Sequence, residues 1–136
     1  MKLAGLKPLF LYISLFCLFA CTNVLDEEFL FGVWVGEKDG VEVVLKFNRD
    51  STTEIRFNDD SNVTKITGYF QVDFSKRPIP LTIRNIPNLN HPLHTIIEFR
   101  ELDVIRITKF APRLKLRPIG FNRDTEIYLR RGKTTQ

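Results

Sequence analysis

The chain has 136 residues, of which 20 are lysine or arginine and 16 are aspartate or glutamate, giving a net charge of +4. This length is typical of one domain built on a single hydrophobic core, so we expect one folded unit rather than several. Both cysteines lie within the first 21 residues, which excludes a disulfide, a cysteine-ligated metal site and a cysteine nucleophile in residues 22–136.

Residues 1–20 have the organisation of a secretory signal peptide. Lys2 and Lys7 give a positive start, residues 8–20 are uncharged and largely apolar, and the small Ala20 precedes Cys21. The apolar run is short for a transmembrane helix, which needs about 20 apolar residues. We therefore predict export. Two alternatives to the lipid-anchored form described next are an ordinary signal peptide that contains a chance cysteine, and an uncleaved N-terminal anchor.

The string Leu18-Phe19-Ala20-Cys21 resembles the lipobox of bacterial lipoproteins. The resemblance implies that the Cys21 thiol receives a diacylglyceryl group, that cleavage follows Ala20, and that the new N-terminus also takes a fatty acyl chain such as palmitate. Several chains anchor a protein stably because each buried CH₂ contributes about 0.8 kcal/mol. The resemblance implies a membrane of the bacterial cell envelope, and Thr22 rather than Asp after the cysteine resembles lipoproteins that are sorted to the outer membrane or cell surface rather than the inner membrane.

Residues 21–29 are predicted to form the acylated N-terminus and a polar tether, residues 30–131 a folded domain, and residues 132–136 a tail. Basic side chains collect near the end, since residues 104–136 carry nine basic and two acidic side chains. Such a surface can meet nucleic acid or anionic lipid. We expect no nucleic-acid partner, because an exported protein rarely meets one, and we favour neighbouring strands of opposite charge that face solvent.

From residue 29 onward, apolar residues recur with a period of two, and β-branched and aromatic types dominate, which is the pattern of strands. Helical periodicity is absent apart from one turn near Leu25 to Leu30. Asp39-Gly40, Asn48-Arg49-Asp50, Asn58 to Ser61 and Leu102-Asp103 lie at hairpin spacing and have the composition of tight turns. The predicted strands are Phe31–Gly36, Val41–Phe47, Thr53–Phe57, Ile66–Phe74, Leu81–Ile86, Thr95–Arg100, Val104–Thr108 and Glu126–Arg130. Eight short strands at this spacing predict an all-β antiparallel fold, either a sandwich or a closed barrel.

Gly32-Val33-Trp34 on the first strand resembles the Gly-x-Trp signature of lipocalin-type barrels. In that family the tryptophan lies at the closed end of the barrel and an arginine from the last strand packs across it. The resemblance implies that Arg130 or Arg131 takes this structural role beside Gly32 and Trp34. A guanidinium over an indole is a cation–π contact worth about 0.5–2 kcal/mol.

A longer pattern runs, in order, through residues 68–78, 81–83, 96–99, 102–107, Arg117 to Phe121 and 126–131. This pattern is similar to that of a family of small bacterial lipocalin-like domains, and the similarity covers nearly all of residues 31–131. It implies a small antiparallel barrel of about eight strands and no particular activity. His94 to Ile97 depart from the glycine and Ile-Tyr pair of many relatives, which leaves the strand register there open.

The sequence contains few candidate catalytic or metal-binding residues. His91 and His94 flank a proline in a predicted loop, and neither has a neighbouring third ligand or nucleophile, so we expect a solvated loop rather than a metal site. Asp26 to Glu28 and Asp59-Asp60 have too few oxygen ligands at loop spacing for calcium. We therefore predict no enzyme, no cofactor and no metal.

Phenylalanines dominate the predicted inward faces. Phe47, Phe57, Phe70 and Phe99 are the candidate walls of an apolar ligand cavity at the end opposite Trp34. Close packing favours the other outcome, in which these rings fill the interior. The leading hypothesis is a membrane-anchored barrel that binds a small apolar molecule or an envelope component. The alternative is a structural or protein-interaction module without a ligand.

Overall fold

A computed structural model describes residues 25–133 and contains eight β-strands. They are β1 (Gly32–Lys38), β2 (Val41–Phe47), β3 (Thr52–Asp59), β4 (Asn62–Val72), β5 (Ile79–Arg84), β6 (Leu93–Glu101), β7 (Val104–Ile107) and β8 (Ile127–Arg131). Each strand pairs antiparallel with the next, and β1 also pairs with β8, so the sheet is a closed barrel. The predicted all-β barrel is confirmed, and the open sandwich is wrong.

The strand boundaries follow the predicted alternation closely, and the largest difference is in β4. This strand begins at Asn62 rather than Ile66, because the β3–β4 hairpin stays paired as far as Asp59 and Asn62. Residues 62–65 are all exposed. A strand segment with both faces in water carries no alternating apolar signal, so sequence periodicity misses it.

The hairpin turns use the residues that tight turns require. Asp39 and Gly40, which join β1 to β2, both have positive φ angles, of 54° and 79°. Two successive positive φ angles are the hallmark of a type I′ turn, whose twist matches that of the flanking strands. Ser51, which follows the predicted turn at Asn48 to Asp50, also has a positive φ of 68°.

Gly36 allows the barrel to close. A Cβ atom at this position would lie 2.2 Å from the backbone oxygen of Tyr128 on β8. The absence of a side chain therefore lets β1 and β8 approach closely at the seam. Gly132 continues this seam, since its backbone N–H donates to the Val33 carbonyl at 2.7 Å.

Two segments lie outside the simple hairpin pattern. Residues 27–29 form a short 3₁₀ turn, capped by the Asp26 carboxylate, which accepts a hydrogen bond from the Glu28 N–H at 2.9 Å. The long connection between β7 and β8, residues 108–126, first extends the sheet through a bridge between His94 and Ala111. It then includes a second 3₁₀ turn at residues 114–116.

Candidate binding cavity

One end of the barrel, called here the closed end, is sealed around Trp34. This side chain is fully buried, and its Nε1–H donates to the backbone oxygen of Leu30 at 2.8 Å. Leu30 is itself fully buried at the start of the barrel. Because a buried indole N–H needs a partner, this bond holds the entering chain across the end of the barrel.

Of the two candidate arginines, Arg131 contacts the tryptophan. Its Cζ lies 4.3 Å from the centroid of the Trp34 ring. Its Nη1 donates to the Phe31 carbonyl at 2.8 Å and its Nη2 to the Phe29 carbonyl at 2.7 Å. Arg130 pairs in the sheet with Val35 but is exposed. Arg131 therefore joins the last strand to the entering chain, as well as covering the indole.

Gly32 lies directly beneath this arginine. It has a φ of +120°, and a Cβ atom there would lie 3.2 Å from Nη1 of Arg131. Residues other than glycine rarely adopt this backbone conformation. The glycine of the Gly-x-Trp string thus has a physical role in placing the arginine beside Phe31.

Three of the four candidate phenylalanines belong to the closed end. The Phe47 and Phe70 ring centroids are 5.0 Å apart, and the Phe99 centroid is 6.0 Å from that of Trp34, each pair in an edge-on geometry. Phe74 lies 6.4 Å from Phe99. The sequence allows these rings either to line a cavity or to fill the interior, and in the structure they fill the closed end. Phe47, Phe70 and Phe99 therefore do not line the cavity described next.

The opposite end of the barrel, called here the mouth, contains an apolar cavity of about 400 Å³. Phe57 is the one candidate phenylalanine among its lining residues. Its other apolar walls come from five strands, β2, β4, β6, β7 and β8, and from the β7–β8 connection: Val43, Leu45, Ile66, Leu93, Ile107, Phe110 and Ile127. This volume falls within the range of about 300–1,000 Å³ that small-molecule sites occupy.

The rim of the mouth cavity carries a few polar groups. Lys38 Nζ donates to the backbone oxygens of Arg123 and Glu126, both at 2.8 Å. The Thr108 hydroxyl donates to that of Thr125 at 3.1 Å. Lys109 and Asp124 also border the cavity. The β7–β8 connection is thus held against the end of β1 at the edge of the opening.

Tyr69 and Arg106 lie on the outer face of the barrel. A shift of the strand register by one residue would turn these polar side chains inward, but the structure does not have that shift. Tyr69 is 52% exposed. Arg106 forms ion pairs with Glu98 at 2.8 Å and Glu126 at 3.1 Å, and its hydrogen bond to Glu98 is the main cause of its raised pKa. Its guanidinium also lies 4.1 Å from the Phe121 ring. Arg106 therefore fastens the β7–β8 connection to the outer face of the barrel.

The two histidines are not brought together as a metal site. His91 is exposed in the β5–β6 loop, whereas His94 is buried at the start of β6. Within residues 25–133, no group of three His, Cys, Asp or Glu side chains is placed to hold a metal ion. In the same residues, no helix has the length and apolar character needed to cross a membrane. Cys21, the predicted lipidation site, and the predicted signal peptide lie outside the described residues.

Apart from Phe110, the walls that sequence reasoning missed are aliphatic. Val43 and Ile66 lie on predicted strands and Leu93 lies two residues before one, but only aromatic residues are named as candidate walls from the sequence. The missing information is how far along the barrel axis each inward residue lies, which follows from the register.

Comparison of the chain with protein-family models, with curated proteins and with solved structures finds no match.

Proposed function

We propose that this chain is a membrane-anchored bacterial lipoprotein whose lipocalin-like barrel binds a small amphiphile. The apolar part of the ligand lies in the mouth cavity and an acidic group lies at the rim. The observation that carries the proposal is the apolar cavity of about 400 Å³ at the mouth of a barrel whose other end is filled. A hydrophobic site with few polar groups is typical of small-molecule recognition.

The rim supports an acidic head group. Lys38 and Lys109 both border the cavity, and neither forms an ion pair with a carboxylate in residues 25–133. A lysine ammonium has three N–H donors, and Lys38 uses two of them on backbone carbonyls. The third is free to contact a ligand carboxylate.

The closed end supports the lipocalin-like assignment. A tryptophan after Gly32 that is covered by a guanidinium from the last strand is the arrangement implied by the sequence resemblance, and Arg131 adopts it over Trp34. The eight-stranded antiparallel barrel is compatible with the same family.

The route of the N-terminal chain supports a defined orientation. The chain enters the barrel at the closed end, where Leu30 is bonded to Trp34. Cys21 lies four residues before Leu25, a stretch that spans at most about 14 Å when extended. An acyl anchor at Cys21 therefore keeps the closed end near the membrane and leaves the mouth facing away from it.

The ligand hypothesis is tested with a fluorescent fatty acid and the full-length Cys21→Ser chain. We expect saturable binding at micromolar concentration, and weaker binding of the methyl ester, which lacks the charge for Lys38. Ile66→Trp places a larger side chain in the cavity and should abolish binding. Val63→Trp is the matched control, because Val63 is on the same strand but 68% exposed on the outside. Equal binding by both variants would contradict the proposal.

The anchor is tested by phase separation in Triton X-114. The wild-type chain should enter the detergent phase, and Cys21→Ser should move it to the aqueous phase because the acylation site is lost. Cys17→Ser is the control and should change nothing, since Cys17 lies inside the predicted signal peptide. A Cys21→Ser chain that still enters the detergent phase would identify the apolar run itself as the anchor.

A second candidate function, contact with an anionic membrane surface, is favoured by the β7–β8 connection. Leu114, Leu116 and Ile119 are 64%, 59% and 94% exposed there. Residues 109–123 carry five basic side chains and no acidic one. Exposed apolar residues among cations are typical of segments that enter the headgroup region, where each basic residue contributes about 1 kcal/mol.

This second function predicts that the Cys21→Ser chain pellets with phosphatidylglycerol vesicles and not with phosphatidylcholine vesicles. Leu116→Ser should reduce the pelleted fraction. Leu102→Ser is the matched control, because Leu102 is 56% exposed but lies in the β6–β7 turn at the closed end. Loss of pelleting in the control alone would contradict the assignment of the surface.

A further inference from the structure

A second groove lies on the outer surface of the barrel and shares no lining residue with the mouth cavity. It is bounded by β4, β5, β6 and the 3₁₀ turn of the β7–β8 connection, and its volume is about 290 Å³. Its positively charged or hydrogen-bonding lining includes Lys76, Thr82, Arg84, His94 and Arg117. Nothing in the mouth-cavity proposal uses these side chains.

Arg117 is held in this groove by neutral partners. Its Nη2 donates to the Thr82 hydroxyl and to His94 Nδ1, the second at 3.1 Å. The Thr82 hydroxyl lies 3.0 Å from the same His94 nitrogen and can donate to it. Because Nδ1 accepts, His94 is neutral with its proton on Nε2. Burial lowers the pKa of His94, and the nearby charges of Arg117 and Arg84 lower it further.

Two of the positive charges in the groove, those of Arg84 and Arg117, have no counterion among residues 25–133. The Nε of Arg117 is also buried without a hydrogen-bond partner in this part of the chain. The one carboxylate that lines the groove, that of Asp73, is already engaged, since it accepts from the Ser75 N–H at 3.0 Å and pairs with Lys76 at 3.6 Å.

The contrast with other arginines of the barrel is clear. Arg106 contacts two carboxylates and Arg131 contacts one, at Asp103. Arg117 is partly buried and instead faces a second arginine. Burial and the Arg84 charge both lower the pKa of Arg117. A partly buried cation without a counterion is costly unless an anion is supplied.

We propose that this outer groove is a binding site for a phosphate-type oxyanion, with Arg117 and Arg84 as its ligands. A guanidinium presents parallel N–H donors that match phosphate oxygens, and two of them neutralise one phosphate group. Thr82 and His94 are positioning residues, because their bonds to one Nη of Arg117 fix the plane of the guanidinium.

Two sources can supply the same phosphate chemistry. One is a soluble phosphate ester, and the other is a phospholipid headgroup. Leu114 also lines the groove and is 64% exposed, so it offers an apolar contact beside the anion site. A lipid ligand would use this contact through its acyl chains, whereas a free phosphate would not.

The experiment is a titration of the full-length Cys21→Ser chain, in which binding is measured by calorimetry and by ³¹P NMR. Inorganic phosphate is the first probe, and we expect saturable binding with a dissociation constant of about 1 mM or below. Glycerophosphoglycerol and dihexanoyl-phosphatidylglycerol, kept below its micelle concentration, share one headgroup and differ in acyl chains. Tighter binding of the second assigns the source to lipid, and equal binding assigns it to a soluble phosphate ester; both outcomes support the site.

Variants locate the binding. Arg84→Gln removes one ligand from an exposed position where folding is not at risk, and it should weaken phosphate binding about tenfold or more. Arg117→Gln should do the same, with circular dichroism as the check that the barrel persists. Arg113→Gln is the matched control, because Arg113 is an exposed arginine of the same connection that does not line the groove. It should change the affinity by less than about twofold.

The proposal is overturned by either of two results. One is no saturable phosphate binding at concentrations up to about 20 mM. The other is an Arg113→Gln effect as large as that of Arg84→Gln, which would mean that phosphate responds to diffuse positive charge rather than to this groove. Both results leave the fatty-acid test of the mouth cavity unaffected.

Discussion

The closed end and the mouth of the barrel are built from the same strands but are filled differently. On β2, inward positions run from Val43 at the mouth to Phe47 at the closed end. On β4, they run from Ile66 to Phe70 in the same direction. On these two strands the rings fill the closed end, and the smaller aliphatic side chains leave space at the mouth, which Phe57 and Phe110 border without filling. Side-chain size along these two inward rows, rather than alternation itself, decides where this barrel is solid and where it is hollow.

The two ends also differ in how the chain is fastened. At the closed end, Arg131 binds two backbone carbonyls of the entering chain, those of Phe29 and Phe31, and covers Trp34. At the mouth, Lys38 binds two carbonyls of the β7–β8 connection, and its ammonium remains at the edge of a cavity. The closed end is therefore expected to carry most of the stability, and the mouth to tolerate change and bind a ligand.

The largest expected effect comes from emptying the closed end. Trp34→Ala should reduce the free energy of unfolding by about 3–5 kcal/mol, because it leaves a large cavity in a fully buried site. Urea unfolding followed by circular dichroism measures the change, since the chain has no other tryptophan to serve as a fluorescence probe. A loss below about 1 kcal/mol would contradict the central role of the closed end.

Breaking the seam should have the next largest effect. Gly36→Ala places a methyl group against the Tyr128 backbone, which cannot rotate away as a side chain can, and should cost about 2–3 kcal/mol. Gly120→Ala is the matched control, because no atom lies within 4 Å of its added Cβ. The two variants should separate in the same urea experiment, and equal midpoints would show that the seam is not tight.

The arginine at the closed end is expected to contribute less than the tryptophan. Arg131→Met keeps much of the side-chain volume but removes the bonds to Phe29 and Phe31 and the cation–π contact, at a cost of about 1–2 kcal/mol. Arg130→Met, on the exposed side of the same strand, should change stability by less than about 0.5 kcal/mol. If Arg130→Met were the more damaging of the two, the assignment of Arg131 would be wrong.

The smallest effect is a dependence on pH that arises at neither end, but on the outer face beside β6. His94 has a lowered pKa in the folded state, so the unfolded chain binds its proton more readily. Stability is then fully present above the unfolded pKa of about 6.5 and falls as the pH drops below it. The groups facing this ring are Arg117 and Arg84.

Urea midpoints at about pH 7.5 and pH 5.5 measure this dependence in the wild type and in His94→Gln. The wild type should lose stability on acidification, and the variant should lose less. His91→Gln is the control, because His91 is exposed. A His94→Gln chain with an unchanged pH dependence would exclude His94 as its source.

The strands can be predicted from the sequence because they follow from local patterns, whereas those patterns leave a sandwich and a closed barrel equally open, and only the family resemblance favours closure. Alternation in residues 41–47 marks an inward row without knowledge of any partner strand, and Asp39-Gly40 marks the turn before it. The contact of Trp34 with the last strand was also anticipated, but from a short string that left Arg130 and Arg131 equivalent. Only the register of β8 places Arg131 opposite Trp34.

The cavity and the outer groove could not be located from the sequence. A large apolar residue on an inward face can either line a cavity or fill it, and at Phe47 and Phe70 the rings fill the space. The groove depends on a side chain of the β7–β8 connection that reaches β5. This contact joins Arg117 and Thr82, which are 35 residues apart in the sequence. No periodic pattern encodes such a contact.

The central claim is that the mouth binds an amphiphile while the closed end stays filled. The most direct measurement is methyl NMR of the Cys21→Ser chain during a titration with dodecanoic acid. The methyl signals of Val43, Ile66 and Leu93 should shift saturably, and those of Leu30 should not move. Shifts at Leu30 without shifts at the mouth, or no shift at either end, would contradict the account.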